Sequence, residues 1–371
     1  MSPVEEVRTD LALEAQQLAV RRGADVPGVH VSERDLGFGV VTKLSIESDI
    51  GAQVMGKSKG TYVTIHVPDF QARRRELESD VSQSLASVVE EYLSDLGVPP
   101  AAPVLVVGLG NWNSTPDNLG PATVSKILVT RHLHEYRVLT EELLGRMRPV
   151  AALAPGVLGL TGVETAEIIL GVVQKIQPAL VICVDALASM SIERLGSTIQ
   201  ISDAGINPGS GVGNKRMALT RETLGVPVMA IGVPTVIHAT TIVTDALDAM
   251  EAQSQSAFGA AKEAPPGGSM LDPAKISVYD PGKGATAPQG SLAPGGSDSR
   301  SRGPLLAGPS SPGASWRRAV IQEVLGDSVG RLIVTPKDID VMIESISDVL
   351  ADGLNEALHP GISAEEAAQL R

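Results

Sequence analysis

Apolar residues recur along this chain in two rhythms. At 103–107, 149–153, 179–184 and 226–231 they form short runs of Val, Ile, Leu, Ala and Met, with Pro103, Pro149, Cys183 and Pro227 among them, and around 119–134, 164–177 and 216–224 they return every three or four residues. Strands apolar on both faces, each followed by an amphipathic helix, predict an α/β fold: a doubly wound, mostly parallel sheet with helices on both faces. Upstream, GFGVVTKLSI and GTYVTIHV within 37–67 are rich in β-branched residues, and the intervening GAQVMGKSKG reads as an exposed connection, so a small β-hairpin element is expected there. Residues 70–97 keep helical spacing up to Gly97, with Asp69 as the expected N-cap. A last helix is expected to begin at Thr335, capped by the Thr335-Pro336 pair.

The pattern breaks at about residue 253. From there to about 316 Gly, Pro and Ser dominate, too few apolar residues remain to offset the entropy of ordering, and a mobile insertion is expected. It separates a main domain ending at 252 from a C-terminal segment, 317–371, expected to pack back on it. Because aromatics are only 2% of the residues, the core must be aliphatic. The formal charge of −13 opposes contact with phosphate backbones, so no direct nucleic-acid partner is expected. A single cysteine, Cys183, excludes an internal disulfide and a thiolate metal cage, which suits a reducing cytoplasm; inside an apolar run it reads as packing rather than nucleophile. The acidic N-terminus lacks the basic start and apolar stretch of an export signal. The region 226–243 is broken by Pro227, Pro234 and His238 and falls short of the roughly 20 apolar residues a spanning helix needs, so no membrane partner is expected either.

Candidate chemistry begins at GLGNWNSTPDNLGP, residues 108–121, directly after an apolar run. A strand followed by G-x-G opens dinucleotide-binding folds, but here Asn113 stands where the third glycine belongs and Pro116 interrupts the helix start. What remains is a polar loop presenting Asp117, either as a catalytic carboxylate or as the cap of the next helix. In LVICVDALAS, residues 180–189, Asp185 follows an apolar run; partial desolvation there raises a carboxyl pKa toward the range useful for proton transfer, and a helix cap is again the alternative. Neighbouring strands lie about 4.8 Å apart, so if these two runs pair, the carboxyl groups can meet, divide a proton and activate water against a peptide carbonyl.

Residues 197–216, STIQISDAGINPGSGVGNKR, read as a glycine-rich loop beside the sheet. They lack the Gly-Lys-Ser/Thr ending of a phosphate loop, while Gly209, Gly211, Lys215 and Arg216 suit contact with a substrate backbone or an oxyanion. His238 follows a buried run and reads as a hydrogen-bonded structural residue, or as a third site member that with Asp117 and Asp185 could bind a transition metal. His132 and His134 point to different faces of the expected helix. No G-x-S-x-G elbow or H-E-x-x-H zinc motif occurs.

Taken together, GLGNWNSTPDNLGP, VDALAS, STIQISDAGINPGSGVGNKR and GVPTVIHATTIVTDAL resemble the germination protease family of spore-forming bacteria, over about 7–250 and again in the last helix. The resemblance implies an endopeptidase that degrades the small acid-soluble proteins coating spore DNA, with a fold similar to that of the hydrogenase maturation proteases, a homotetrameric state and a place in the spore interior. It assigns catalysis to Asp117 and Asp185. It also makes VRTDLALEA, residues 7–15, similar to the family's self-processing site, so that cleavage between Asp10 and Leu11 releases residues 1–10 as a propeptide from a protease domain at 11–252. Thr-Asp followed by Leu-Ala parallels the Thr-Glu followed by Phe or Ile and Ala cut in the spore proteins; an apolar pocket and a cation, Lys215 or Arg216, would read it. The family pattern has aspartate where His238 stands. No cofactor is expected. Two other readings stay open: a metal-dependent maturation-type endopeptidase of the same fold, and a non-catalytic binding module.

Overall fold

The computed structural model describes residues 9–362 and 366, apart from 22, 24–25, 69, 71–74, 139, 209–215, 244–245, 247–249 and 251–331. Asp69, the 253–316 segment and most of residues 1–10 therefore lie outside the described residues. Two compact units divide the chain, Met1–Ile242 with Asp327–Arg371, and Val243–Gly326; every element below belongs to the first.

The strands are β1 (Val29–Asp35), β2 (Val40–Ile46), β3 (Gly60–His66), β4 (Val104–Gly108), β5 (Val150–Leu153), β6 (Leu180–Ser189), β7 (Thr198–Ser202), β8 (Val228–His238) and β9 (Ile333–Val334). The helices are α1 (Ala12–Arg21), α2 (Asp49–Met55), α3 (Arg75–Asp95), α4 (Leu119–Val124), α5 (Arg131–Glu135), α6 (Glu141–Gly145), α7 (Leu158–Thr161), α8 (Thr165–Ile176), α9 (Arg221–Leu224) and α10 (Ile339–Leu358). All strands join one sheet in the order β1-β2-β3-β7-β8-β6-β4-β5, with β9 beside the end of β8.

The alternation of side chains along β4 explains why both faces are covered. Val104 and Val106 enter a core with Val81, Leu85 and Val89 of α3 and Ile346, Leu350 and Leu354 of α10. Leu105 and Val107 point the other way, against Ala166, Ile169 and Val173 of α8. Each such fully buried side chain contributes about 1.5–3 kcal/mol, which is how a core almost without aromatics holds together. The long C-terminal helix α10 packs on α3 and α4 and starts at Ile339 rather than at the Thr335-Pro336 pair.

Four expectations need correction. The sheet is mixed rather than mostly parallel: β4 pairs in parallel with β5 and β6, and β6 with β8, while the remaining pairings are antiparallel. The cause is β7, whose residues Thr198–Ser202 are all buried between β3 and β8, where the sequence suggests a loop. The upstream β-rich runs pair antiparallel as β2 and β3, as expected, and β7 joins them to the main sheet. Their connection folds as α2, capped by Ser48 through Gly51 N–H and ended by Gly56 at φ 60°. Finally, the helices expected over 119–134 and 216–224 shorten to α4 with α5, and to α9.

The glycines of the 108–121 loop serve close packing. A Cβ on Gly120 would lie 2.2 Å from the Leu109 carbonyl oxygen and 2.5 Å from that of Val184, and one on Gly108 would lie 2.2 Å from the Gly120 oxygen. Backbone on both sides cannot yield as a side chain would. We expect Gly120→Ala to lower stability by about 3 kcal/mol or more, measured as a fall in the urea midpoint.

Candidate active site

The strand order reverses at β4: the chain moves from β4 to β5 on one side and then crosses to β6 on the other. In open α/β sheets ligands gather at such a switch point. The two strands are neighbours, with Gly108 opposite Val184, so the loop after β4 and the upper part of β6 share this position.

Asp117 closes a single helical turn, Thr115–Asp117, ahead of α4. Its carboxylate accepts the backbone N–H of Asn111 at 3.0 Å instead of capping α4, whose N-cap is Asn118. Gly110, at φ 117°, lets the loop close, since a Cβ there would lie 2.0 Å from the Asp117 carbonyl oxygen. From β8, the Thr235 hydroxyl donates to the Pro116 carbonyl at 2.7 Å and fixes the loop over the sheet.

Asp185 lies within β6, which runs on to Ser189, and is neither at a strand tip nor a helix cap. It is 5% exposed, and its Oδ1 accepts the Ala186 N–H at 2.9 Å. Burial, reinforced by the charges of Asp117 and Asp10, pushes its carboxyl well above the usual carboxylate range. Asp117 is also raised by burial, but the Asn111 N–H and the Arg216 charge pull against the shift. The environments thus favour a proton on Asp185 and a charge on Asp117. Both line a cleft of about 380 Å³ together with Asp10, Arg216 and Thr235.

The segment expected to be cut lies in this cleft. β6 outruns β4, and the free edge beyond Val184 is taken by Asp10: its N–H donates to the Ala188 carbonyl at 3.0 Å, and its Oδ2 accepts the Ala188 N–H at 2.9 Å. A register shift between β6 and β8 falls at Leu187/Ala188. Leu11 is fully buried. The start of α1 anchors the segment through Glu14, which is 4% exposed, accepts from the Thr9 hydroxyl, from Ser189 Oγ at 2.8 Å and from Met190 N–H at 2.8 Å, and pairs with Arg194. On the other side, the Lys57 ammonium donates to the carbonyls of Thr9 and Asp10, both at 2.9 Å, and Gln200 Nε2 donates to the Asp10 carbonyl at 3.2 Å. These two line a second cleft of about 690 Å³ that also contains Asp10 and Asp185.

Of the sequence-predicted site residues, Asp10, Asp117, Asp185 and Arg216 meet in one cleft. Arg216 approaches Glu164 at 3.8 Å and acts on Asp117 through its charge. Gly209, Gly211 and Lys215 lie outside the described residues. His238 ends β8, paired with Ile333, and is not among the residues lining the cleft. Among the described residues no group of three His, Cys, Asp or Glu side chains is arranged to hold a metal ion. Cys183 is fully buried, and burial pushes its thiol far up, as inert packing requires. Sequence reasoning missed Lys57, Gln200 and Glu14. None of the three stands out from its local sequence: all five residues of the TIQIS run are buried, and Lys57 lies in a connection rich in Gly and Lys.

Comparison with known proteins agrees with the sequence motifs. A family model described as germination protease matches residues 6–371. The chain is 42% identical over 363 residues to the germination protease of Bacillus mycoides, covering 97% of this chain and 95% of that one. It is equally similar, at 42% over 364 residues, to that of Bacillus anthracis, with the same coverage.

Proposed function

The chain belongs to the germination protease family, and from that premise we propose that it is an aspartic-type endopeptidase that cuts itself between Asp10 and Leu11 and then degrades small acid-soluble, DNA-coating spore proteins. The observation that carries this reading is the seating of Asp10 against Ala188 on the free edge of β6, with Asp185 and Asp117 in the same cleft. Main-chain hydrogen bonding to a free strand edge is a recurring way of holding peptide backbone. A substrate with the order small polar, acidic, bulky apolar, small would take the same place after residues 1–10 leave.

In this mechanism ionised Asp117 removes a proton from a water molecule as its oxygen attacks the Asp10 carbonyl carbon. The tetrahedral intermediate collapses, the carbon–nitrogen bond to Leu11 breaks, and protonated Asp185 gives its proton to the departing nitrogen. The products are a carboxyl group on Asp10 and a free amine on Leu11. The pair ends with its proton on Asp117 instead of Asp185 and returns to its starting state by exchange through water. The same reading takes the fold as similar to that of the hydrogenase maturation proteases, the working form as a homotetramer and its place as the spore interior.

Mass mapping of purified protein incubated alone and with a small acid-soluble spore protein tests this. The expected mature chain starts at Leu11, the expected substrate fragments end in an acidic residue, and chelators leave both reactions unchanged. A chain that stays intact, or one that starts elsewhere, overturns the proposal.

A further inference from the structure

We infer that Lys57 and Gln200 form the electrophilic half of the catalytic machinery, binding the oxygen of the peptide carbonyl under attack opposite the aspartate pair. The inference rests on the self-cleavage reading above and adds to it a chemical role for two residues that the 108–121 and 180–189 segments do not contain.

The carbonyl that would be attacked is that of Asp10, and it is held by two donors, Lys57 Nζ at 2.9 Å and Gln200 Nε2 at 3.2 Å. Neither contact is incidental. Gln200 reaches up from β7, and its Oε1 accepts the Ala12 N–H at 2.7 Å, which fixes the amide so that its NH2 faces the Asp10 oxygen. One side chain therefore grips the backbone on both sides of the Asp10–Leu11 bond. Lys57 follows the left-handed Gly56 that ends α2, and its amine bridges the carbonyls of Thr9 and Asp10. Burial lowers the pKa of this amine, and the charges of Asp10 and Glu14 act against that shift.

Aspartate pairs supply a base and an acid but no positive charge for the oxygen that turns negative when water adds. As the carbonyl becomes tetrahedral its oxygen gains charge, and donors already aimed at it strengthen without reorganising. Lys57, an amine donor in a water-excluded site where Asp10 and Glu14 favour its charged form, gains most. Protonated Asp185 is then left to serve the departing nitrogen, so the proton count of the proposed reaction is unchanged. Because Lys57 and Gln200 bind backbone atoms, they would treat a spore-protein substrate in the same way.

The test uses the full chain and reads the first-order rate of appearance of the Leu11 terminus, hydrogen exchange at the Asp10 amide, and the urea midpoint. Lys57→Met is expected to slow cleavage by about 10²–10³-fold. Gln200→Glu keeps the acceptor for Ala12 N–H, removes the donor and slows it by about 10²-fold. Lys57→Arg, which retains a charged donor, recovers part of the loss. Protection of the Asp10 amide, bound to the Ala188 carbonyl, stays as in the wild type, because the segment is still seated. Unchanged rates in both Lys57→Met and Gln200→Glu overturn the inference and leave the aspartate mechanism standing. So does a rate loss accompanied by loss of Asp10 protection, which would make both residues clamps. A wild-type chain that is never cut between Asp10 and Leu11 removes instead the self-cleavage reading itself.

Discussion

Replacing Asp185 by asparagine is expected to abolish cleavage between Asp10 and Leu11 and, in the same variant, to make the fold more stable at neutral pH. The activity loss follows from removing the proton donor to the leaving nitrogen, a contribution of about 10²–10⁴-fold. The stability gain follows from burial. Asp185 is 5% exposed, with two carboxylates acting on it, so its folded pKa lies well above the unfolded one. In the window between those values the unfolded chain has released its proton and the folded chain has kept it. Stability therefore falls as pH rises through that window, and the full penalty remains above it. Asparagine has no such penalty and can still accept the Ala186 N–H. The check is a pair of measurements: self-cleavage by mass, and urea midpoints of both proteins across pH. The midpoints should converge at acid pH and separate in favour of the variant as pH rises. A fully active Asp185→Asn chain would remove Asp185 from the mechanism, and unchanged midpoints would contradict its burial as a protonated acid.

The second large effect is on the rate of self-cleavage with pH. The proposed reaction needs a proton on Asp185 and a charge on Asp117. Both carboxyls are raised above the ordinary range, Asp185 further because Asp117 and Asp10 add to its burial, whereas Asn111 N–H and Arg216 moderate Asp117. Lowering the pH through the range in which the pair takes up its shared proton therefore accelerates cleavage, until a second proton silences the base. The expected profile is a bell whose two limbs belong to the coupled pair rather than to either residue. Rates of Leu11 terminus formation between about pH 4 and pH 9 would trace it. Removing the Arg216 charge, as in Arg216→Met, should move the acid limb to higher pH, because Asp117 loses the cation that helps keep it ionised. A profile that rises steadily toward alkaline pH would exclude the carboxylate pair as acid and base.

That Asp117 and Asp185 share one cleft was partly legible in the sequence, whereas their catalytic assignment came from the family resemblance. A charged residue at or after an uninterrupted apolar run cannot stay there cheaply, and a parallel α/β pattern brings strand ends to a common rim. The prediction was still imperfect, since Asp185 sits inside β6 rather than at its end. The glycines around Asp117 invited a phosphate reading, yet they exist because the backbones of β4, β6 and α4 approach too closely for a Cβ. Lys57 and Gln200 were hidden for a different reason. Lys57 belongs to a connection rich in Gly and Lys, which reads as solvent-exposed, and Gln200 belongs to a five-residue strand followed directly by a glycine-rich stretch. Their meeting depends on β3 pairing with β7 and β7 with β8, long-range contacts that no local periodicity encodes.

The insertion of β7 between β3 and β8 also bears on the order in which a newly made chain acquires its tool. A ribosome releases the Asp10–Leu11 bond first and Lys57 soon after, but Gln200 is synthesised last of the four groups around that bond, after Asp117 and Asp185. Until β7 docks, the amine and the two acids hang from separate fragments of sheet. Translation would thus deliver the proposed cut site long before the groups that surround it are assembled, and the proposed self-cleavage would wait for β7 to dock.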